Sequence, residues 1–137
     1  MGKGQSYSYA DSLLVSLDTA TGRNRIYTLQ ELASFLVSSQ PLLAETYSLE
    51  AARLSDEEDF IEGVAQAQFT LALIYQVRGE YHKSLEYNLE VLSWAEEEGD
   101  DFFIAAVLNN MVLTMMRVVM PHGPLITMRA RLTLLRR

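Results

Sequence analysis

Cysteine is absent from the chain. That rules out disulfides, zinc–cysteine sites and thiol catalysis, and leaves both cytoplasm and periplasm open as compartments. Also missing are an uninterrupted apolar run of the ~20 residues that a membrane-spanning helix needs, and the charged head and apolar core of a signal peptide. The seven glycines are scattered, so no loop is built to cradle phosphate. His82 and His122 are the only histidines, and no spacing pairs them with each other or with acids as a metal site or catalytic triad requires. The acidic run Asp56 to Asp59 lacks the alternating ligands and central glycine of a calcium loop. No catalytic residue, metal or cofactor is expected. With 49% hydrophobic and 21% charged residues over 137 positions, the chain reads as a soluble domain with a core of its own, placed in the cytoplasm or, if a signal peptide is missing, in the periplasm.

Acidic residues also run out part-way along the chain. Residues 1–101 hold all 18 acids and six basic residues, a net of −12, whereas residues 102–137 hold five arginines and no acid. The body should repel nucleic acid.

What is present is a helical repeat. Between Phe69 and Val77 the residues Phe69, Leu71, Ala72, Leu73, Ile74, Tyr75 and Val77 make a broad apolar surface, suited to a helix sandwiched between neighbours. Gly79 can close that helix in the left-handed conformation. A second helix follows from Glu80, with Tyr81, Leu85, Leu89 and Leu92 as its inward stripe, Glu86, Glu90 and Glu96–Glu98 outward, and Gly99 at its end. Positions 40 apart then match: Tyr47/Tyr87, Leu49/Leu89, Glu50/Glu90, Glu57/Glu97, Glu58/Glu98, Ala65/Ala105 and Leu73/Leu113 are identical, and Ala44/Ser84, Ala51/Val91, Leu54/Trp94 and Leu71/Met111 stay small or apolar. A fixed period of this size marks units that must stack to bury their apolar faces.

The residues Leu71-Ala72, Tyr75, Gly79-Glu80-Tyr81, Ser84 and Tyr87 resemble the tetratricopeptide pattern. Leu32-Ala33, Leu36, Ala44, Tyr47 and Ala51 resemble the preceding copy, and Leu108-Asn109-Asn110-Met111 the opening of the next. The period of 40 exceeds the usual ~34 residues and resembles the long-helix variety found in input regions of bacterial signalling proteins. Asn88 departs from the family, which usually has an aromatic residue there, and nothing after Met116 continues the pattern. The resemblance implies an all-α, right-handed superhelix of about two and a half helical hairpins after a short N-terminal helix.

In chain order, residues 1–24 form a tail and a short helix, Tyr9 to Leu17, capped by Ser8. Met-Gly-Lys-Gly-Gln-Ser matches an N-myristoylation pattern, which ordinary gene-start residues explain as well. Thr19 to Arg23 reads as a loop. The repeats occupy 25–118, as units 25–56, 57–99 and a partial 100–118. The first helix, Arg25 to Val37, turns Ile26, Leu29, Leu32, Ala33, Leu36 and Val37 inward, and Pro41 starts the second, which runs to about Leu54. Ser55-Asp56-Glu57-Glu58 has the form of a capping box opening a long helix to Val77. Asp101 to about Val118 is the last repeat helix. Trp94, Phe102, Phe103, Met111, Met115 and Met116 read as core. Residues 119–137, Pro121-His122-Gly123-Pro124 and then leucines among arginines, leave the register. Three readings fit them: a basic amphipathic cap, a surface-binding tail, or a non-native end to a longer gene.

By the same resemblance, outward positions of the first helices line a concave groove for a peptide or partner protein: Tyr27, Gln30 and Ser34; then Gln66, Phe69, Leu73 and Gln76; then Ala106, Asn109, Asn110 and Leu113. Asn109 and Asn110 stand out because an amide both donates to and accepts from a peptide backbone. These positions carry no charge, so the groove should not prefer acidic tails. The function implied is a noncatalytic protein-interaction scaffold of bacterial signal transduction. Two alternatives stand beside it: the N-terminal part of a regulator with a kinase, cyclase or DNA-binding output, and a self-associating module joined through an open repeat end at Val112, Met115, Met116 and Val119.

Overall fold

Chain reversals come at intervals of 20 residues. In the structure, a computed structural model that describes residues 8–121 and residue 133, the backbone takes positive φ at Asp59 (54°), Gly79 (80°) and Gly99 (70°). At each reversal the next amide reaches back to close the helix: Phe60 N donates to Ser55 O (2.8 Å), Glu80 N to Tyr75 O (2.8 Å) and Asp100 N to Ala95 O (3.0 Å). With the connections at 18–21 and 37–40, these turns separate α1 (Tyr9–Leu17), α2 (Gly22–Leu36), α3 (Pro41–Glu57), α4 (Ile61–Val77), α5 (Tyr81–Glu98) and α6 (Asp101–Val119). The protein is all-α, with no strand among the described residues. The N-terminal acylation pattern and nearly all of the basic tail, His122 included, lie outside the described residues.

Three expectations about these elements need correcting. Gly22 and Arg23 belong to α2 rather than to a loop. Ser55 does not cap α4: Ser55 to Glu57 are the last turn of α3, and the Ser55 carbonyl closes that helix. The serine-to-glutamate spacing is satisfied equally well by a helix end, and the discriminating signal is Asp59, which occupies the register position of Gly99 and tolerates the left-handed region as a short polar residue can. The third correction concerns α5, where Leu89 is 56% exposed. The buried stripe there is Ser84, Asn88, Val91 and Ala95, and in α3 it is Ala44, Ser48, Ala51 and Ser55, the same positions 40 earlier.

That stripe of small residues reflects the packing. Each helix packs on its neighbours in sequence, and α4 touches both α2 and α6, whereas α3 and α5 do not meet. So α2, α4 and α6 form an inner layer, and α3 and α5 wedge between pairs of them, where only small side chains fit a close approach. The core follows: Leu36, Val37, Ala44, Leu71, Ile74 and Tyr75 form one cluster with Tyr47, Leu73 and Tyr87 against it. Leu29, Ala51 and Ala67 form a second. Ile26, Leu29, Leu32, Ala33, Leu36 and Val37 are all buried, as their spacing predicts.

Gly79 isolates the cost of a turn. A Cβ there would meet no atom within 4 Å, so only its φ of +80° opposes a side chain. Gly79→Val is expected to lower stability by roughly 1–3 kcal/mol through backbone strain alone, and an unchanged melting temperature would contradict it.

Candidate binding cleft

The inner layer opens into a cleft of about 610 Å³ at its N-terminal end. Its first wall is α1, whose start is held by reciprocal bonds: Asp11 N donates to Ser8 Oγ (3.1 Å) and Ser8 N to Asp11 Oδ2 (3.2 Å). So anchored, Tyr9 sets its ring 5.6 Å from that of Phe35 and donates its hydroxyl to the Glu31 carboxylate. That bond, then partial desolvation and the Glu31 charge, holds the Tyr9 phenol above its ordinary pKa. The second wall is one face of α2, where Tyr27, Gln30, Glu31, Ser34 and Phe35 recur at helical spacing.

The third wall is the start of α4: Phe60, Glu62, Gly63 and Gln66. Gln30 ties two walls together by donating from Nε2 to the Gly63 carbonyl (2.9 Å). Tyr27 and Phe60 meet edge to face at 6.0 Å. Phe60 can lie there because residue 63 has no side chain: a Cβ would come within 2.5 Å of the Phe60 ring and 2.4 Å of Ser55 Oγ.

Of the groove positions read from sequence, Tyr27, Gln30, Ser34 and Gln66 therefore converge on one cleft. The others are dispersed. Phe69 sits edge-on to Phe103 at 5.5 Å, and Phe103 in turn to Trp94 at 5.5 Å. Leu73 packs against the core cluster. Asn109 and Leu113 are exposed on α6, and Ala106 is half-buried. Asn110 does not point outward; it is 3% exposed. Its Oδ1 accepts from Gln76 Nε2 (2.8 Å) and its Nδ2 donates to Asn88 Oδ1 (3.3 Å), while Gln76 Nε2 also reaches Thr114 Oγ1 (2.6 Å). Both amides are spent on a polar network between α4, α5 and α6 because burial without partners would cost them their hydration.

That network replaces a hydrophobic cluster. Gln76, Ser84, Asn88, Asn110 and Thr114 stand 40 residues after Leu36, Ala44, Ser48, Thr70 and Ile74, so the second unit is polar where the first is largely apolar. α6 nevertheless keeps the register of α4, burying the positions 40 after Ala67, Thr70 and Ile74. Its buried residues are Val107, Asn110 and Thr114, and Phe102 (86% exposed), Val112, Met115, Met116 and Val119 face out. Phe102, Met115 and Met116 are therefore not core, since no neighbouring helix covers that side among the described residues. By length and hydropathy alone α6 also has the make-up of a membrane-crossing helix.

No family model, curated protein or solved structure matches the chain. Among the described residues no cluster of histidine and acids could hold a metal ion.

Sequence reasoning missed Tyr9, Glu31, Phe35, Phe60, Glu62 and Gly63. Tyr27, Glu31 and Phe35 do share an i, i+4, i+8 face, a signal that was available. Phe60 and Glu62 were hidden by the displaced boundary of α4, and Tyr9 reaches the cleft only once α1 folds onto α2.

A second cluster braces the turn after α4. Tyr75 Oη donates to Glu45 Oε2 (2.6 Å), Arg78 Nη1 to Glu45 Oε1 (2.8 Å), and the Tyr75 and Tyr87 rings stack at 5.6 Å. Burial first, then the bond to Glu45, pushes the Tyr75 phenol well above its ordinary 10.0. The folded state then holds the Tyr75 proton more tightly than the unfolded chain, so this contribution is complete below pH 10 and is lost as pH rises beyond it. Tyr75→Phe is expected to flatten the alkaline limb of a stability–pH profile above about pH 10. An identical decline in wild type and variant would refute the assignment.

Proposed function

We propose that this protein is a noncatalytic interaction scaffold, a right-handed tetratricopeptide-like superhelix whose inner helices α2, α4 and α6 offer a preformed concave face to a peptide or partner protein. The single observation that carries the reading is the one-sided packing: α4 touches α2 and α6 while α3 and α5 stay apart, and a cleft opens at the N-terminal end of that inner layer, between α1, α2 and the start of α4. Its bacterial signalling setting rests on the resemblance of the long period alone. The direct test is selection from a displayed random-peptide library on the immobilised full chain, followed by titration of selected peptides against Tyr27→Ala and Gln66→Arg. Binders whose affinity falls in these variants, but not in Glu97→Gln on α5, are the expected result. A library that yields no cleft-dependent binder overturns the reading.

The exposed apolar face of α6 favours a second reading, self-association. Val112, Met115, Met116 and Val119 are exposed together at the end of the array, and a contiguous apolar face of this kind is a typical interaction surface. Light scattering should then show a concentration-dependent dimer that Val112→Glu with Met115→Glu returns to monomer. A monomer at all concentrations would remove this reading.

A further inference from the structure

We infer that the N-terminal cleft selects cationic side chains, and arginine above lysine, on the peptide it receives. This rests on the interaction reading and specifies its partner. Tyr9, Tyr27 and Phe35 are each about half exposed where they line the cleft. They surround two carboxylates, Glu31 and Glu62, and no lysine, arginine or histidine is among the residues that line the cleft. Ring faces beside carboxylates form a site for a planar cation, which stacks on the rings and donates in pairs to the acids.

The molecule already makes one such contact with its own side chain. The Arg23 guanidinium lies 3.8 Å from the centroid of the Phe60 ring and 3.8 Å from Glu58, so the nearest cation is committed at the rim. Glu31 is engaged only by the neutral Tyr9 hydroxyl, and neither it nor Glu62 has an ion-pair partner among the described residues. Beyond the cleft, the net −12 of residues 1–101 would steer a basic segment toward the body and make its capture sensitive to salt. Arginine exceeds lysine here because a guanidinium both stacks and forks, whereas an ammonium is a strongly hydrated point charge.

The test is fluorescence anisotropy with the full chain and labelled peptides in which glycine alternates with arginine, lysine or glutamate. The arginine peptide is expected to bind, the lysine peptide more weakly and the glutamate peptide not at all. Glu31→Gln with Glu62→Gln should weaken the arginine peptide by about tenfold or more, and Tyr27→Ala should weaken it as well. Glu86→Gln with Glu97→Gln, which removes the same charge from α5, should leave affinity nearly unchanged. Equal losses in both double variants would reduce the effect to net charge and overturn the inference. If library-selected peptides bind through Tyr27 yet are not enriched in arginine, cation selection fails while the interaction reading stands. If no peptide of any composition binds the cleft, both fail.

Discussion

Ile74→Ala is expected to destabilise the protein by about 2–5 kcal/mol, read as a lower urea midpoint at unchanged slope. Ile74 is fully buried in the cluster with Leu36, Val37, Ala44, Leu71 and Tyr75, which joins α2, α3 and α4. Removing most of its side chain loses the transfer free energy of those atoms and leaves a hole that helices fixed on three sides cannot close. The milder Ile74→Val should cost only about 0.5–1.5 kcal/mol. A near-neutral Ile74→Ala would mean that the cluster is loosely packed and that the inner layer derives its rigidity elsewhere, with the proposed groove no longer preformed.

Gly63→Val is expected to cost roughly 3 kcal/mol, at the upper end of overpacking, and to weaken any ligand held in the cleft. The sign of the smaller change is the sharper test. Glycine inside a helix is ordinarily less stable than alanine by about 1 kcal/mol, so Gly63→Ala would stabilise the protein if helix propensity alone decided. In the structure an added Cβ lies 2.4 Å from Ser55 Oγ and 2.5 Å from the Phe60 ring. Phe60 is buried and held between Tyr27 and Arg23, so it cannot swing away freely. Gly63→Ala should therefore destabilise, and combining it with Ser55→Ala should recover part of the loss, a coupling that thermal or urea unfolding of the four variants measures. A stabilised Gly63→Ala would contradict the close approach of α3 to α4.

Helical class, the 40-residue period and the inward set from Ile26 to Val37 were all legible in the chain, because each rests on residues within a turn or two of one another or on a repeat that reproduces itself. Asp59, Gly79 and Gly99 even mark three reversals at even spacing. The site was legible only in part: Tyr27, Gln30, Ser34 and Gln66, read as outward positions of two helices, line one cleft, whereas Asn110, read as outward, is buried.

The amino-acid order by itself determined that α-hairpins form and where most of them turn. Only tertiary packing decided which of two adjacent stripes each helix buries. Leu89 is exposed and Ser84 buried because α5 is wedged between α4 and α6, and helix separation there selects for size over hydrophobicity. Asn110 and Thr114 are inside, and Met115 outside, because Gln76 across the interface supplies their hydrogen bonds. The first outcome involves a partner 12 residues away, Ala72 O for Ser84 Oγ, and the second partners 22 and 34 residues away, distances at which periodicity carries no information about which face finds a neighbour.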